Sequence, residues 1–208
     1  MSDQDPRANE RAELRRGLRL DLRSTLRARR RALSPAERMA AALALPQRVG
    51  GLPELVSGGY VAGYWAVDGE LSLHALLMGR PGFIYCLPCL REDGSLGFAP
   101  WRTGDPLAPN RYGIPEPDIS RSSQLEPEQM QLVLVPLLGF DRRGGRLGAG
   151  GGYYDRSFAF LNSAPRPPQP RLLGVGYALQ EMTGFSPEPW DVALDGVATE
   201  RELIDCRG

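Results

Sequence analysis

Six of the nine residues from Gly144 to Gly152 are glycine. The run lies between an apolar stretch, Leu132 to Val135, and a segment, Tyr153 to Leu161, that reads as a helix. A helix or strand interior cannot hold so much glycine, because each glycine gives up more backbone freedom on ordering than any other residue. The run is therefore a loop between a buried strand and a helix. Such a loop has no Cβ atoms to block an anion, and it can turn several N–H groups toward one. Arg146 adds a planar fork that can grip phosphate oxygens two at a time, and Asp155 stands where a carboxylate could hold a bridging metal. The same composition also fits a merely flexible turn. A dinucleotide fingerprint does not fit, since Tyr153 occupies the sixth position counted from Gly148 and the apolar strand at Leu172 to Tyr177 carries no acid for a ribose.

The basic residues narrow the chemistry further. All 25 are arginine, so a P-loop lysine and Schiff-base chemistry are both excluded, and His74 is the only histidine. Formal charge is +0 over 208 residues but unevenly spread, at +6 over residues 1–48 and −6 over the remainder. The run Arg29-Arg30-Arg31 has no interleaved aromatic platform, so no nucleic-acid partner is expected, and an RNA-associated protein with an arginine arm is only a minor alternative. No apolar run approaches a membrane span and no signal-peptide core follows Arg7, so a cytoplasmic chain without a membrane partner is expected. The three cysteines form no disulfide framework. Cys86 and Cys89 form a CxxC whose surroundings favour buried thiols over a redox pair, and His74 reads as a packed histidine.

Leu14, Leu18, Leu22 and Leu26 recur every fourth residue within a helix expected over 8–33. Ser34-Pro35-Ala36-Glu37 forms a capping box with proline at the first helical position. A second helix should then run through Met39, Leu43 and Leu45 to near Pro46, giving an N-terminal helical hairpin. Strands are expected at Tyr60 to Ala66, Phe83 to Leu87, Leu132 to Val135 and Leu172 to Tyr177. A helix is expected at Ser72 to Met78, hairpins and loops at Arg91 to Pro117, and a last ordered segment at Trp190 to Thr199. Alternating strands and helices imply an α/β layered fold with a largely parallel sheet, in one domain over 1–208 whose first 18 residues form a partly ordered helical extension.

Three further groups of residues can carry chemistry. Trp65 could stack on a flat heterocycle and Glu70 could bond its ring nitrogens, although a core tryptophan and a first-turn glutamate fit equally well. Arg19 and Arg23 lie one turn apart and could reach phosphates, or form a solvated face. Asp191 or Asp195 could complete a metal site with Asp155, or be surface acids.

Together these pieces resemble the 5-formyltetrahydrofolate cyclo-ligase family. The most specific stretch runs from Pro136 to Asp155 and includes Phe140-Asp141, Arg146-Leu147-Gly148 and Tyr153-Tyr154-Asp155. Leu22-Arg23, Arg-Arg-Ala-Leu-Ser ending at Ser34, Asp68-Gly69-Glu70, Leu87-Pro88, Tyr112 to Pro117 and Trp190-Asp191 support it. The resemblance implies a three-layer α/β sandwich similar to the sugar-phosphate isomerases and CoA transferases. It also implies a monomer that uses ATP and Mg2+ to close 5-formyltetrahydrofolate to 5,10-methenyltetrahydrofolate, or a non-catalytic relative that binds folate and nucleotide. By position it assigns ATP to Arg19, Leu20, Asp21, Leu22 and Arg23 and to Arg146, Leu147, Gly148, Ala149, Gly150, Gly151, Gly152, Tyr153 and Tyr154. The folate falls to Trp65, Glu70 and Ala149 to Tyr153, catalysis to Arg146 and Tyr153, and the metal to Asp155 and Asp191. The chain departs from the family's usual pattern with arginine for lysine at Arg19, and with no basic residue at Ala149 or Gly151.

Overall fold

The computed structural model describes residues 6–78 and 82–207. The first helix, α1, spans Pro6–Arg31, so the expected extension over 1–18 is helical from Pro6, and its first five residues lie outside the described ones. α2 spans Pro35–Val49, α3 Pro53–Val56, α4 His74–Met78 and α5 Tyr153–Ser157. The strands are β1 Tyr60–Ala62, β2 Ile84–Leu90, β3 Leu96–Pro100, β4 Leu107–Pro109, β5 Pro115–Pro117 and β6 Leu132–Pro136. They continue with β7 Gly139–Phe140, β8 Arg146–Leu147, β9 Arg171–Val175, β10 Gly196–Ala198 and β11 Leu203–Asp205.

Seven strands form one mixed, mostly parallel sheet in the order β11-β10-β9-β6-β1-β2-β3, with only the β2/β3 and β10/β11 pairs antiparallel. Alternate residues of the central strands feed opposite faces. Val61, Leu132, Leu134, Leu173 and Val175 join Ala41, Leu45 and Val49 of α2 on one face, with Leu55 of α3. Ala62, Val133, Val135 and Leu172 meet Phe98, Phe158 and Leu161 on the other. A third, smaller cluster of Leu26, Leu147, Met182 and Phe185 fixes α1 to the body.

Local signals explain the helices better than their limits. Ser34 and Glu37 form the capping box reciprocally, yet α2 does not stop near Pro46; it runs on to Val49. Burying Leu45 and Val49, each worth about 1.5–3 kcal/mol, offsets the roughly 3 kcal/mol that an interior proline costs. The leucine stripe of α1 is only half covered, with Leu26 at 1% exposure and Leu14 and Leu18 at 65% and 60%. Nor do α1 and α2 pack chiefly on each other: α1 rests on the turn Ala178–Gln180, and α2 on α4 and β10. The helix expected over 153–161 is one turn, α5, followed by a 3-10 turn at Ala159–Asn162. His74 is exposed at the start of α4, not packed. No helix among the described residues is long and apolar enough to cross a membrane.

β1 has β2 on one side and β6 on the other, both parallel to it. The chain therefore leaves the carboxyl ends of β1 and β6 in opposite directions across the sheet, the place where an open α/β sheet forms a crevice.

Candidate active site

A cleft of ≈ 1220 Å³ opens at that crevice. α1 supplies one wall, the segment after β1 another, and the glycine segment after β8 a third, with the tip of the β4/β5 hairpin facing them.

The glycine run divides into two parts. Gly144 and Gly145 belong to the turn of a small β7/β8 hairpin, where Asp141 Oδ1 accepts from the N–H groups of Arg143 and Gly145, both at 2.8 Å. A Cβ at Gly145 would lie 2.4 Å from the Asp141 carboxylate, so glycine there serves the turn. Gly148 to Gly152 line the cleft, with Gly150 at φ +109 and Gly152 at φ +68, conformations that favour glycine. Among the described residues, the N–H groups of Ala149, Gly150, Gly151 and Gly152 are given to no backbone carbonyl. The five-residue α5 adds little macrodipole behind them, so any anion held here would rest on the loop N–H groups.

Arginines converge on this segment. Arg146, nearly buried, donates to Asp155 Oδ1 at 2.7 Å and lies over the Tyr154 ring at 5.6 Å. Arg19 donates to Asp191 Oδ2 at 2.8 Å and to the Ser186 carbonyl at 3.1 Å, and covers the Phe185 ring. Arg23 donates to the Gly148 carbonyl at 3.0 Å; burial, with Arg19 beside it, lowers its pKa. The structure thus brings Arg19, Arg23, Arg146, Asp155 and Asp191 to one site. Leu20 and Asp21 are exposed and do not line the cleft, Leu22 packs on the Leu26 cluster, and Leu147 is a core residue.

Val192 N–H donates to Asp155 Oδ1 at 3.2 Å, which places Asp191 close to Asp155. Each carboxylate uses one oxygen for its arginine and for a backbone N–H, leaving the other free. Among the described residues no three His, Cys, Asp or Glu side chains gather to hold a metal unaided. Asp195 is excluded from the site: its Oδ2 accepts from Leu172 N–H at 2.7 Å inside the fold. Cys86 and Cys89 are buried on β2, their thiols pushed up to about 12 by burial, and are unreactive there.

Trp65, also on the cleft, keeps 38% of its surface and meets Trp101 edge-on at 5.8 Å. Glu70 is largely enclosed; its Oε2 accepts from Val67 N–H at 3.1 Å, and burial raises its carboxyl pKa. Tyr153 lines the same cleft. Its phenol shares a 2.6 Å hydrogen bond with Tyr112 and accepts from Arg111 at 2.7 Å, and the Tyr112 bond, with Arg111, lowers its pKa. Arg30, Asp68, Arg111 and Tyr112 went unnoticed as site residues in the sequence. Arg30 was hidden in an arginine run and Tyr112 in a loop 41 residues from its partner, so only the fold could pair them.

A sequence model of the 5-formyltetrahydrofolate cyclo-ligase family matches residues 11–200. The chain belongs to that family. It is 33% identical over 180 residues to the 5-formyltetrahydrofolate cyclo-ligase of Escherichia coli (strain K12), covering 84% of this chain and 96% of that one. It is 32% identical over 182 residues to the enzyme of the same name from Mycolicibacterium smegmatis, at 84% and 90% coverage. Among solved structures it resembles 5,10-methenyltetrahydrofolate synthetase of Aquifex aeolicus, with a TM-score of 0.76, 27% identity, and coverage of 92% of this chain and 94% of that one. As a cyclo-ligase the chain is a ligase that uses ATP.

Proposed function

We propose that this chain closes 5-formyltetrahydrofolate to 5,10-methenyltetrahydrofolate with ATP, in the cleft described above. The observation that carries this reading is that one cleft is lined both by the anion-binding segment Gly148 to Gly152 and by Trp65 and Glu70. The N–H groups of Ala149 to Gly152, with Arg19, Arg23 and Arg146, hold the triphosphate. Trp65 stacks against the reduced pterin and Glu70 accepts from its ring N–H groups.

The reaction requires the formyl oxygen in line with the γ-phosphorus. That oxygen attacks, the bond to the bridging oxygen breaks and ADP leaves. Nitrogen 10 then attacks the activated formyl carbon and gives up its proton, and the carbon–oxygen bond breaks to release the methenyl ring and phosphate, which carries that proton away. Arg146 faces charge that grows on the transferring phosphoryl group, a task for a preorganised cation in a partly closed site. Tyr153, anchored by Tyr112 and Arg111, borders both substrates and fixes their approach. Asp155 and Asp191 fit magnesium, which favours one or two carboxylates and otherwise takes phosphate oxygens and water. Bound there, the ion would neutralise charge on the phosphates.

One chain carries every part of the cleft, which supports a monomer organised as a single cyclo-ligase domain. Helices and turns on both sheet faces support the three-layer sandwich class. Three unpaired thiols are consistent with a cytoplasmic setting. The test is an anaerobic near-ultraviolet assay of 5-formyltetrahydrofolate and magnesium with and without ATP. ATP-dependent methenyl product is expected. No product, with both ligands still raising the Tm, would identify a binding relative instead.

A further inference from the structure

Arg30 lies deep between α1 and the sheet, its side chain only 3% exposed. It donates to Asp68 Oδ2 at 3.1 Å and to the Leu137 carbonyl at 3.4 Å, and its Nη1 lies 3.7 Å from Glu70 Oε1. Its Nε has no partner. A guanidinium so placed loses hydration without full compensation, which stability alone does not favour.

Asp68 does not need Arg30 for neutralisation. Arg27, at 3.3 Å, and Arg31 already serve it from more exposed positions. Glu70 does need it: among the described residues Arg30 is the only cation paired with Glu70. The turn between them is also held in an unusual conformation. Asp68 has φ +52 and Gly69 φ +77, and these two left-handed residues carry Glu70 back onto the Val67 N–H. Asp68 tolerates that conformation with three arginines of α1 upon it.

We infer that Arg30 is a positioning residue for the folate end: it holds Glu70 in the orientation and the acceptor-only form that can take two ring N–H donors at once. The inference rests on the functional reading above. Oε2 of Glu70 is steered by Val67, and Oε1 is left beside the guanidinium. Without Arg30, the Val67 N–H bond alone would favour the carboxylate, against burial and Asp68, which both favour the neutral form. A neutral carboxyl is an acceptor at one oxygen and a donor at the other, and so mismatches a ligand edge made of donors.

The test compares wild type, Arg30→Met, Arg30→Lys, Glu70→Gln and the Arg30→Met/Glu70→Gln double variant by initial rates. Arg30→Met should raise the KM for 5-formyltetrahydrofolate about tenfold, the scale of one mispaired charged hydrogen bond, while leaving the KM for ATP within about twofold. Arg30→Lys should recover much of the loss. The folate KM of Arg30→Met should begin to rise at higher pH than in wild type, because Glu70 loses the cation that opposes its protonation. The groups facing Glu70 are Arg30 from α1, Asp68 in its own turn, Tyr64 after β1, Tyr154 of α5 and Tyr177 after β9. Burial raises all three of those phenols, which therefore stay neutral where carboxyls titrate.

In the Glu70→Gln background, Arg30→Met should add almost nothing. An equal loss in both backgrounds, an unchanged folate KM, or a parallel rise in both KM values would overturn the role. Should Arg30→Met not fold, the same cycle is run with Arg30→Lys, whose smaller effect must likewise vanish beside Glu70→Gln. A wild type that makes no product would strike the functional reading; an active wild type with an unresponsive Arg30 strikes the positioning role alone.

Discussion

At the proposed nucleotide site the charges are paired, Arg19 with Asp191 and Arg146 with Asp155, beside the segment Gly148 to Gly152 that lines the cleft. At the folate end the charged pair is enclosed, and Glu70 is fixed by Val67 and Arg30 before any ligand arrives. On the proposed reading the first site must exchange partners to work, since arginines that hold carboxylates are not free to hold phosphates. Magnesium and a triphosphate would then offer each side of those pairs a better match at once. The second site would be a preset template for a ring, so the proposal joins an adjustable electrostatic site to a fixed hydrogen-bonding one in one cleft.

Several changes would break that contrast. The largest effect belongs to Arg146→Ala, which should lower kcat by about 10²–10³-fold, the loss seen when one preorganised transition-state donor is removed. Single-turnover rates at saturating ATP check this, and a loss confined to the KM for ATP would recast Arg146 as a binding group. Asp155→Asn should come next, raising the magnesium needed for half-maximal rate by about tenfold or more and leaving the Tm nearly unchanged. Unchanged activity at limiting magnesium would remove Asp155 from the metal site.

Salt sharpens the comparison. Between about 0.05 and 0.5 M NaCl, affinity for ATP should weaken several-fold more than affinity for the folate, because capture of a polyanion depends on long-range charge and recognition of a ring does not. Equal losses would show that the folate end is electrostatic as well. Acidification should do the reverse. Burial raises the Glu70 pKa, so its carboxylate form is lost as pH falls through that raised value, and the folate KM should climb. The smallest effect is expected for Tyr112→Phe, which removes one hydrogen bond to Tyr153 and should cost about two- to fivefold in kcat/KM.

The two ends also differed in how far the sequence disclosed them. The nucleotide end is written locally: the glycine run, Arg146 and Asp155 lie within twelve residues of one another, and backbone freedom alone marks them as a loop. Even there, the Asp141 turn that withdraws Gly144 and Gly145 from the cleft was invisible, because a two-residue strand pair leaves no periodic trace. The folate end is written non-locally. Glu70 could be suspected from its place after a strand, but Arg30 sat inside the run Arg29-Arg30-Arg31, which reads only as a nucleic-acid signal, and its burial depends on how α1 crosses the sheet. The strands β1, β2, β6 and β9 were legible through apolar runs, whereas β7, β8, β10 and β11 were not. α2 outran its proline because tertiary burial overrode local propensity, and the exposed Leu14 and Leu18 show a stripe that periodicity alone overstated.

The central claim, that the formyl oxygen takes the γ-phosphoryl group in this cleft, is tested most directly by a single turnover of substrate labelled with oxygen-18 in the formyl group. The account predicts that the label leaves in inorganic phosphate, one atom for each methenyl ring formed. Methenyl product accompanied by unlabelled phosphate would mean that ATP is cleaved by water and that the ring closes by another route.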